Sequence, residues 1–259
     1  MIFFMAFWTI GAASNSATQL NYHAQDHWEG VCTTGQAQSP IDIPAPSSKQ
    51  YVTGNFLDLP KNSFMMNNLN NPNTAKYAVE NEKIEATVPW SGNRKVTLLQ
   101  LHLHWGASNA QGSEHLIKGK AYAAEAHLVT SYIADDGSTK YMVFARVFKL
   151  GRENHFIKQM MAGEMNSGQN RNIASFSLGQ LYPANTAEWL TYQGGLTTPP
   201  CSEIVDWVVV TKPLTISNAQ LKKLRAMPLG DRNMDALPRN WRNTQNLNGR
   251  RSKLFLRSG

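Results

Sequence analysis

The sequence LQLHLHW, residues 99–105, decides the fold of this 259-residue chain and introduces its chemistry. Apolar and polar residues alternate strictly there, which is typical of a β-strand because successive side chains point to opposite faces. One face of the predicted strand is apolar and carries Leu99, Leu101, Leu103 and Trp105. The other face carries Gln100, His102 and His104.

A second alternating run, at residues 121–129, predicts a neighbouring strand with Glu125 and His127 on one face. Two neighbouring strands that direct imidazoles to the same side would bring His102, His104 and His127 around one point. Three histidines with an open fourth position are the ligand set of a catalytic zinc, whereas structural zinc sites close all four positions, usually with cysteine.

Two polar residues favour this metal site over the alternative, a strand whose histidines are ordinary surface or core residues. Gln100 and Glu125 each precede a histidine by two positions, so they share its face and could accept its second ring N–H. A buried amide or carboxylate without such a task would cost free energy. The residues alone therefore predict a zinc hydrolyase or hydrolase built on a β-sheet.

Composition describes an ordinary globular protein, with 42% hydrophobic and 17% charged residues and a formal net charge of +7. That positive charge favours polyanions only non-specifically. The sequence contains no glycine-rich phosphate loop, recognition-helix pattern or aromatic RNA-binding signature, so we expect no nucleic-acid partner.

The first residues predict export. Residues 1–13 are almost wholly apolar, the first charged residue is Asp26, and small residues at 12–14 suit signal peptidase. The apolar run is too short to span a bilayer, and no other run approaches the length of a membrane span. We therefore predict a signal peptide at residues 1–18, a single domain at 19–259, and a secreted protein, extracellular or periplasmic.

The chain has two cysteines, Cys32 and Cys201. In an exported protein an even count favours a disulfide, here closing a very long loop, and the alternative is a pair of buried free thiols.

Short alternating runs predict strands at residues 76–80, 84–88, 95–105, 121–132, 141–149 and 205–211. Helices are predicted at residues 156–165, capped by Asn154, and at 218–227, where Ser217 and Gln220 form a capping box. Residues 62–73 hold six asparagines and Pro72 and predict a loop or turn-rich rim. No linker divides the chain, so we predict one α+β, mostly β domain with a large, mainly antiparallel central sheet and short peripheral helices.

Several motifs in a fixed order resemble the α-class carbonic anhydrases from about residue 22 to residue 251. They are QSPIDI at 38–43, HLHWG at 102–106, SEH at 113–115, LTTPPC at 196–201 and NWR at 240–242. The resemblance implies a single domain around a twisted, mostly antiparallel sheet, with a conical cavity that reaches a zinc ion. It also implies reversible hydration of carbon dioxide to bicarbonate and a proton, by attack of zinc-bound hydroxide.

The resemblance implies roles for the residues around the metal. His102, His104 and His127 match the zinc ligands of the family. Gln100 and Glu125 match the acceptors behind two of them, and Asn240 matches the residue whose main-chain carbonyl orients the third.

Further matches concern the substrate and the compartment. Thr197 matches the hydroxyl that accepts a hydrogen bond from the hydroxide and donates one to Glu114, and Thr198 matches the lining of the substrate and anion site. Cys32 and Cys201 match the disulfide pair of exported members. The apolar wall that holds carbon dioxide is matched by Val129, Val143, Leu196, Val205 and Trp207.

One departure from the family concerns proton transfer. Fast members carry a cavity-wall histidine in the stretch that is here residues 67–73, and no histidine occurs between His27 and His102. His23 is the near candidate for a proton relay. We therefore expect a working site whose turnover is limited by proton transfer.

A second function from a different class is an extracellular binding or matrix protein of the same fold, with a basic surface that engages polyanions. That surface would consist of Arg239, Arg242, Arg250, Arg251, Lys253 and Arg257. Non-catalytic relatives typically lose a zinc ligand, so the presence of all three histidines with Thr197 and Glu114 favours the enzyme.

Overall fold

The computed structural model describes residues 20–60, 64–69, 71–79, 83–162, 171–227 and 238–258. The predicted signal peptide at residues 1–18 lies outside the described residues. The first strands are β1 (Asp42–Ile43), β2 (Ser48–Val52), β3 (Phe64–Leu69), β4 (Lys76–Ala78), β5 (Glu85–Val88), β6 (Arg94–Trp105) and β7 (Leu116–Ile117). The later strands are β8 (Ala124–Ile133), β9 (Thr139–Leu150), β10 (Arg171–Phe176), β11 (Glu188–Gly194), β12 (Val205–Ile216) and β13 (Lys253–Arg257). The α-helices are α1 (Val31–Thr34), α2 (His155–Ala162) and α3 (Asn218–Arg225).

Among the described residues, an 11-stranded sheet runs in the order β10-β3-β4-β6-β8-β9-β12-β11-β13-β2, with β5 paired to β6. Neighbouring strands are antiparallel except for the parallel pairs β9–β12 and β13–β2. Strands β1 and β7 form a separate parallel pair. The predicted fold class is confirmed: the chain is a mostly β single domain, and a mainly antiparallel central sheet dominates it.

The alternation of β6 and β8 separates two apolar clusters. Leu101, Leu103 and Trp105 belong to the larger cluster, together with Leu128 of β8. The smaller cluster lies on the other face and includes Val129. Each fully buried large apolar side chain stabilises the fold by about 1.5–3 kcal/mol, so the larger cluster anchors β6 from behind the histidine face.

Leu99 is a correction to the predicted face of β6. Leu98 pairs with Thr130 and Gln100 pairs with Val129, which leaves Leu99 as the extra residue of a β-bulge. Leu98 consequently packs in the larger cluster, whereas Leu99 packs against the smaller one. The bulge therefore moves Leu99 to the histidine face.

The asparagine-rich stretch at residues 62–73 is a second correction, because it contains strand β3 as well as turns. The main chain of β3 pairs with β4 on one side and β10 on the other. Asparagine has a low strand propensity, but pairing with neighbouring strands overrides that preference.

Strands β2, β11 and β13 were also not predicted, because their sequences show no clear alternation of apolar and polar residues. Strands β13 and β2 pair with each other at the far end of the sheet, and this pairing is seen only in the structure.

Both predicted helix starts are confirmed. The Asn154 side chain accepts a hydrogen bond from the Ile157 N–H at the start of α2. In α3 the Ser217 side chain accepts from the Gln220 N–H, and the Gln220 side chain accepts from the Ser217 N–H. Helix α3 ends at Arg225, two residues before the predicted end.

Cys32 and Cys201 form a disulfide across a sequence separation of 169 residues. This confirms the disulfide and excludes the alternative of two free thiols.

None of the helices in the described ranges is long and apolar enough to cross a membrane.

Candidate metal centre and its cavity

The register of β6 and β8 assembles the three histidines. His102 pairs directly with His127, and His104 lies two residues further along the same face of β6. Nδ1 of His127 lies 3.2 Å from Nε2 of His102 and 3.2 Å from Nε2 of His104. The three imidazoles predicted to converge therefore do so through one specific nitrogen each.

The outward nitrogen of each imidazole has a protein acceptor. The contacts are His102 Nδ1 with Gln100 Oε1 at 2.8 Å, His104 Nδ1 with the Asn240 carbonyl at 2.7 Å, and His127 Nε2 with Glu125 Oε1 at 2.8 Å. Because these acceptors require a ring N–H, they assign the tautomer of each neutral ring. The inward nitrogens are then left with lone pairs.

Burial favours the neutral form of two of these rings. Burial, followed by the neighbouring rings of His104 and His127, holds the pKa of His102 well below its usual value. Burial also lowers the pKa of His104, although the carboxylate of Glu114 opposes that shift. Neutral imidazoles are the form that ligates a metal.

The donor set fits a zinc ion. A tetrahedral zinc with Zn–N bonds of about 2.0–2.1 Å sets its ligand atoms about 3.3 Å apart, close to the separation seen between these nitrogens. Lone pairs that face one another at this distance repel, and a cation between them would remove the repulsion. Three imidazole nitrogens suit zinc, whereas magnesium and calcium prefer oxygen ligands.

Glu125 anchors the back of the centre. Its Oε2 accepts the backbone N–H groups of Glu114 and His115, each at 2.9 Å. Its Oε1 contacts His115 Nδ1 at 2.6 Å and His127 Nε2 at 2.8 Å. Burial raises the pKa of Glu125, but these imidazole contacts outweigh it and hold the pKa well below its usual value. A carboxylate with four donors cannot rotate freely, so it fixes the orientation of His127.

Glu114 has one carboxylate oxygen without a hydrogen-bond partner. Its Oε1 accepts the Arg242 backbone N–H at 2.9 Å, and its buried Oε2 has no hydrogen-bond partner. Oε2 lies 3.4 Å from His104 Nε2. Thr197 is buried and lines the cavity, yet its hydroxyl does not donate to Glu114 in this structure. An unpartnered carboxylate oxygen is thus directed at the centre.

A cavity opens onto the centre as two lobes of about 320 and 210 Å³ that share Lys76, Gln100, His102 and Thr198. The larger lobe also contacts His127 and Thr197, and the smaller one contacts His104. The predicted apolar wall lines the larger lobe through Val129, Val143, Leu196 and Trp207. Val205 belongs to the same apolar cluster and is buried, but it does not line the lobe.

The predicted relay residue lies apart from this cavity. Tyr22 lines the smaller lobe, whereas its neighbour His23 is exposed and does not line either lobe. Within the described ranges, the histidines that line the lobes are His102, His104 and His127 themselves.

Sequence reasoning missed three residues of the site. Lys76 lies in a predicted strand, but its place in the cavity depends on a pairing between β4 and β6 that no local pattern reveals. Leu99 reaches the larger lobe only because of the bulge. Tyr192 contacts His115 Nε2 through its hydroxyl at 2.7 Å and so extends the network behind Glu125. The available local signal for Tyr192 is the run of strand-forming residues at 189–192, which shows no clear alternation.

Comparisons with known proteins agree with this geometry. Residues 23–253 match the family described as eukaryotic-type carbonic anhydrase. The chain is 32% identical over 224 residues to putative carbonic anhydrase 3 of Caenorhabditis elegans, covering 84% of this chain and 89% of the relative. It is 29% identical over 256 residues to carbonic anhydrase 3 of Sus scrofa, covering 89% of this chain and 94% of the relative.

A further relative is putative carbonic anhydrase 5 of Caenorhabditis elegans, which is 32% identical over 241 residues, 87% of this chain and 77% of the relative. The match extends over nearly the whole described fold and includes the strands that carry the histidines. The chain belongs to the eukaryotic-type carbonic anhydrase family, and it is an enzyme of the lyase class.

Proposed function

We propose that the protein is a zinc enzyme that catalyses the reversible hydration of carbon dioxide to bicarbonate and a proton. The observation that carries the proposal is the convergence of three lone-pair nitrogens, two of them 3.2 Å from the third, at the floor of an open cavity. Family membership supports the same reaction.

His102, His104 and His127 would hold the zinc. When bound there, zinc supplies the acidity that makes water a nucleophile near neutral pH. Gln100, Glu125 and the Asn240 carbonyl hold the three rings in the required tautomers and orientations. Because neutral imidazoles bring no negative charge, the metal would keep its full charge.

The cavity wall would hold the substrate. Carbon dioxide is apolar, and Val129, Val143, Leu196 and Trp207 present apolar surface beside the histidines. A loose apolar contact holds carbon dioxide near the nucleophile and lets the charged product leave.

Thr197 and Glu114 would orient the nucleophile. The free Oε2 of Glu114 is an available acceptor for the Thr197 hydroxyl, and a hydroxyl that donates to a carboxylate must accept its next hydrogen bond. Such an acceptor aims a lone pair of the attacking oxygen at the substrate, and correct orientation removes several kcal/mol of barrier. Thr198, which lines both lobes, would contact the substrate or product.

The first experiment measures zinc stoichiometry and carbon dioxide hydration in the parent protein and in His104→Ala. We expect about one zinc per chain in the parent. The variant should lose zinc and nearly all activity, since two histidines no longer complete the site. His155→Ala is the matched control, because His155 is exposed at the start of α2 and should change neither quantity. Equal hydration rates in the parent and His104→Ala would contradict the proposal.

Proton transfer would limit turnover. No additional histidine lines the described part of the cavity, so the proton released in each cycle must leave through water or buffer. We expect the hydration rate to rise as a small imidazole buffer is added. An unchanged rate in His23→Ala at low buffer concentration would overturn His23 as the relay. A rate independent of imidazole concentration would contradict a proton-transfer limit.

The disulfide supports a compartment outside the cytosol. Disulfides persist in oxidising environments, which favours a location outside the cytosol. With the apolar N-terminal run, this supports secretion after removal of residues 1–18.

No contact in the described residues favours the alternative of a polyanion-binding protein. Arg242, placed by the sequence on a basic surface, is 3% exposed, and this placement is wrong. The Arg242 guanidinium packs against the N-terminal segment at residues 32–39. There it donates to Gln38 Oε1 and to the carbonyls of Ser39 and Cys32.

A further inference from the structure

The described lining of the cavity contains one cation that the proposed chemistry does not use. Lys76 of β4 lines both lobes, and within the described ranges no other lysine or arginine lines either of them. Lys76 is the direct partner of His102 in the antiparallel β4–β6 pair. Directly paired residues place their side chains on the same face, about 4.5–5.5 Å apart at Cβ. The Lys76 side chain therefore leaves the sheet beside the metal centre.

Its ammonium group has no counter-charge among the described residues. Among the described residues, the Lys76 side chain makes no hydrogen bond and no ion pair, and the carboxylate oxygens at the centre serve other donors or face His104. Burial lowers the pKa of Lys76, as expected for an ammonium that leaves water without a compensating carboxylate. Such a group is stabilised by any small anion that enters the cavity.

We propose that Lys76 forms an anion-binding subsite in the cavity, which holds an oxygen of bicarbonate or another small monovalent anion beside the three-histidine centre. The inference rests on the proposed function and adds to it a residue that distinguishes the two substrates. An ammonium has three donors on a flexible stem, so it can follow an anion without a fixed geometry. The hydroxyl of Thr198, which lines the same two lobes, is a second available donor.

Charge decides which substrate benefits. Bicarbonate carries a negative charge and gains a charge-assisted hydrogen bond from Lys76, whereas carbon dioxide is neutral and gains none. Removal of the ammonium should therefore raise the KM for bicarbonate in dehydration and leave the KM for carbon dioxide in hydration nearly unchanged. The same loss should weaken the binding of unreactive anions that compete with bicarbonate.

The test compares Lys76→Gln and Lys76→Arg with the parent. Thiocyanate binding to the zinc-loaded proteins is measured by titration calorimetry, and KM is measured in both directions. We expect Lys76→Gln to raise the thiocyanate Kd and the bicarbonate KM by about tenfold or more, the usual effect of losing a charged hydrogen bond. Lys76→Arg, which keeps the charge, should stay close to the parent. Lys95→Gln is the control, since Lys95 is exposed and contacts Thr87 outside the cavity.

The outcomes separate this inference from the proposed function. If the parent fails to bind zinc or to hydrate carbon dioxide, the proposed function fails before any variant is compared. If the parent is active and Lys76→Gln binds thiocyanate as tightly as the parent, the anion subsite is overturned. An equal rise of both KM values in Lys76→Gln would also overturn it, because a general disturbance of the cavity does not discriminate by charge.

Discussion

At the scale of single residues, the hydrogen-bond donors and acceptors of the site restrict one another's tautomers and orientations. Each histidine gives its outward N–H to one acceptor, and this decides which nitrogen faces the metal position. Glu125 has the most demanding role, since it accepts four hydrogen bonds while fully buried. The orientation of His127 therefore depends on a carboxylate that lies behind the three converging nitrogens.

Glu125→Gln tests that dependence. A glutamine offers one acceptor oxygen in place of two and directs its NH₂ at groups that are themselves donors. We expect the zinc affinity to fall about 10–100-fold, the usual cost of losing a partner behind a metal-bound histidine. Competition with a chelator measures the affinity, and Glu85→Gln is the control because Glu85 is an exposed residue paired with Lys83. Unchanged zinc affinity in Glu125→Gln would contradict the role assigned to this carboxylate.

At the scale of elements, caps and pairings hold the ends of short helices. Gln220 is 4% exposed and links two helix starts, since its side chain bonds the main chain of both Ser217 and Asn154. Helices α2 and α3 have eight residues each, too short to be stable alone, so their ends depend on such contacts.

Ser217→Ala and Gln220→Ala measure this contribution by urea unfolding. We expect Ser217→Ala to lower the free energy of unfolding by about 1 kcal/mol, the usual cost of losing a cap. Gln220→Ala should cost more, because the Asn154 N–H and carbonyl lose their partner as well. Lys222→Ala is the control, since Lys222 is exposed on the same helix and alanine favours helix. A smaller loss for Gln220→Ala than for Ser217→Ala would contradict the link between the helices.

At the scale of the whole molecule, one covalent bond connects the start of the fold to the loop that carries Thr197 and Thr198. Cys32 lies in α1, and the Cys201 N–H donates to the Thr198 carbonyl at 2.9 Å. The disulfide thus ties the segment that carries Thr197 and Thr198 to the N-terminal part of the domain. It closes a loop of about 169 residues, which restricts the unfolded chain strongly.

A double variant, Cys32→Ser with Cys201→Ser, should lower the free energy of unfolding by up to about 5 kcal/mol, because the long loop regains its entropy. We also expect a lower kcat/KM for hydration, since the loop that positions Thr197 loses its anchor. Denaturant unfolding and hydration kinetics measure the two effects, with the oxidised parent as reference. An unfolding free energy equal to that of the parent would contradict the stabilising role of the bond.

The sequence alone determined the properties that depend on neighbouring residues. Period-two alternation predicted the face of β6 that carries Gln100, His102 and His104 and the face of β8 that carries Glu125 and His127. The capping box of α3 was also predicted from the sequence, because its donors and acceptors lie within one helical turn.

Only the tertiary structure decided what depends on distant segments. The pairing of β4 with β6 places Lys76 beside His102, a bulge moves Leu99 into the cavity, and packing beneath the N-terminal segment buries Arg242. The physical reason is the range of the interactions. Side-chain periodicity is a property of a short stretch of chain, whereas strand order, register and bulges arise from pairing between segments far apart in sequence.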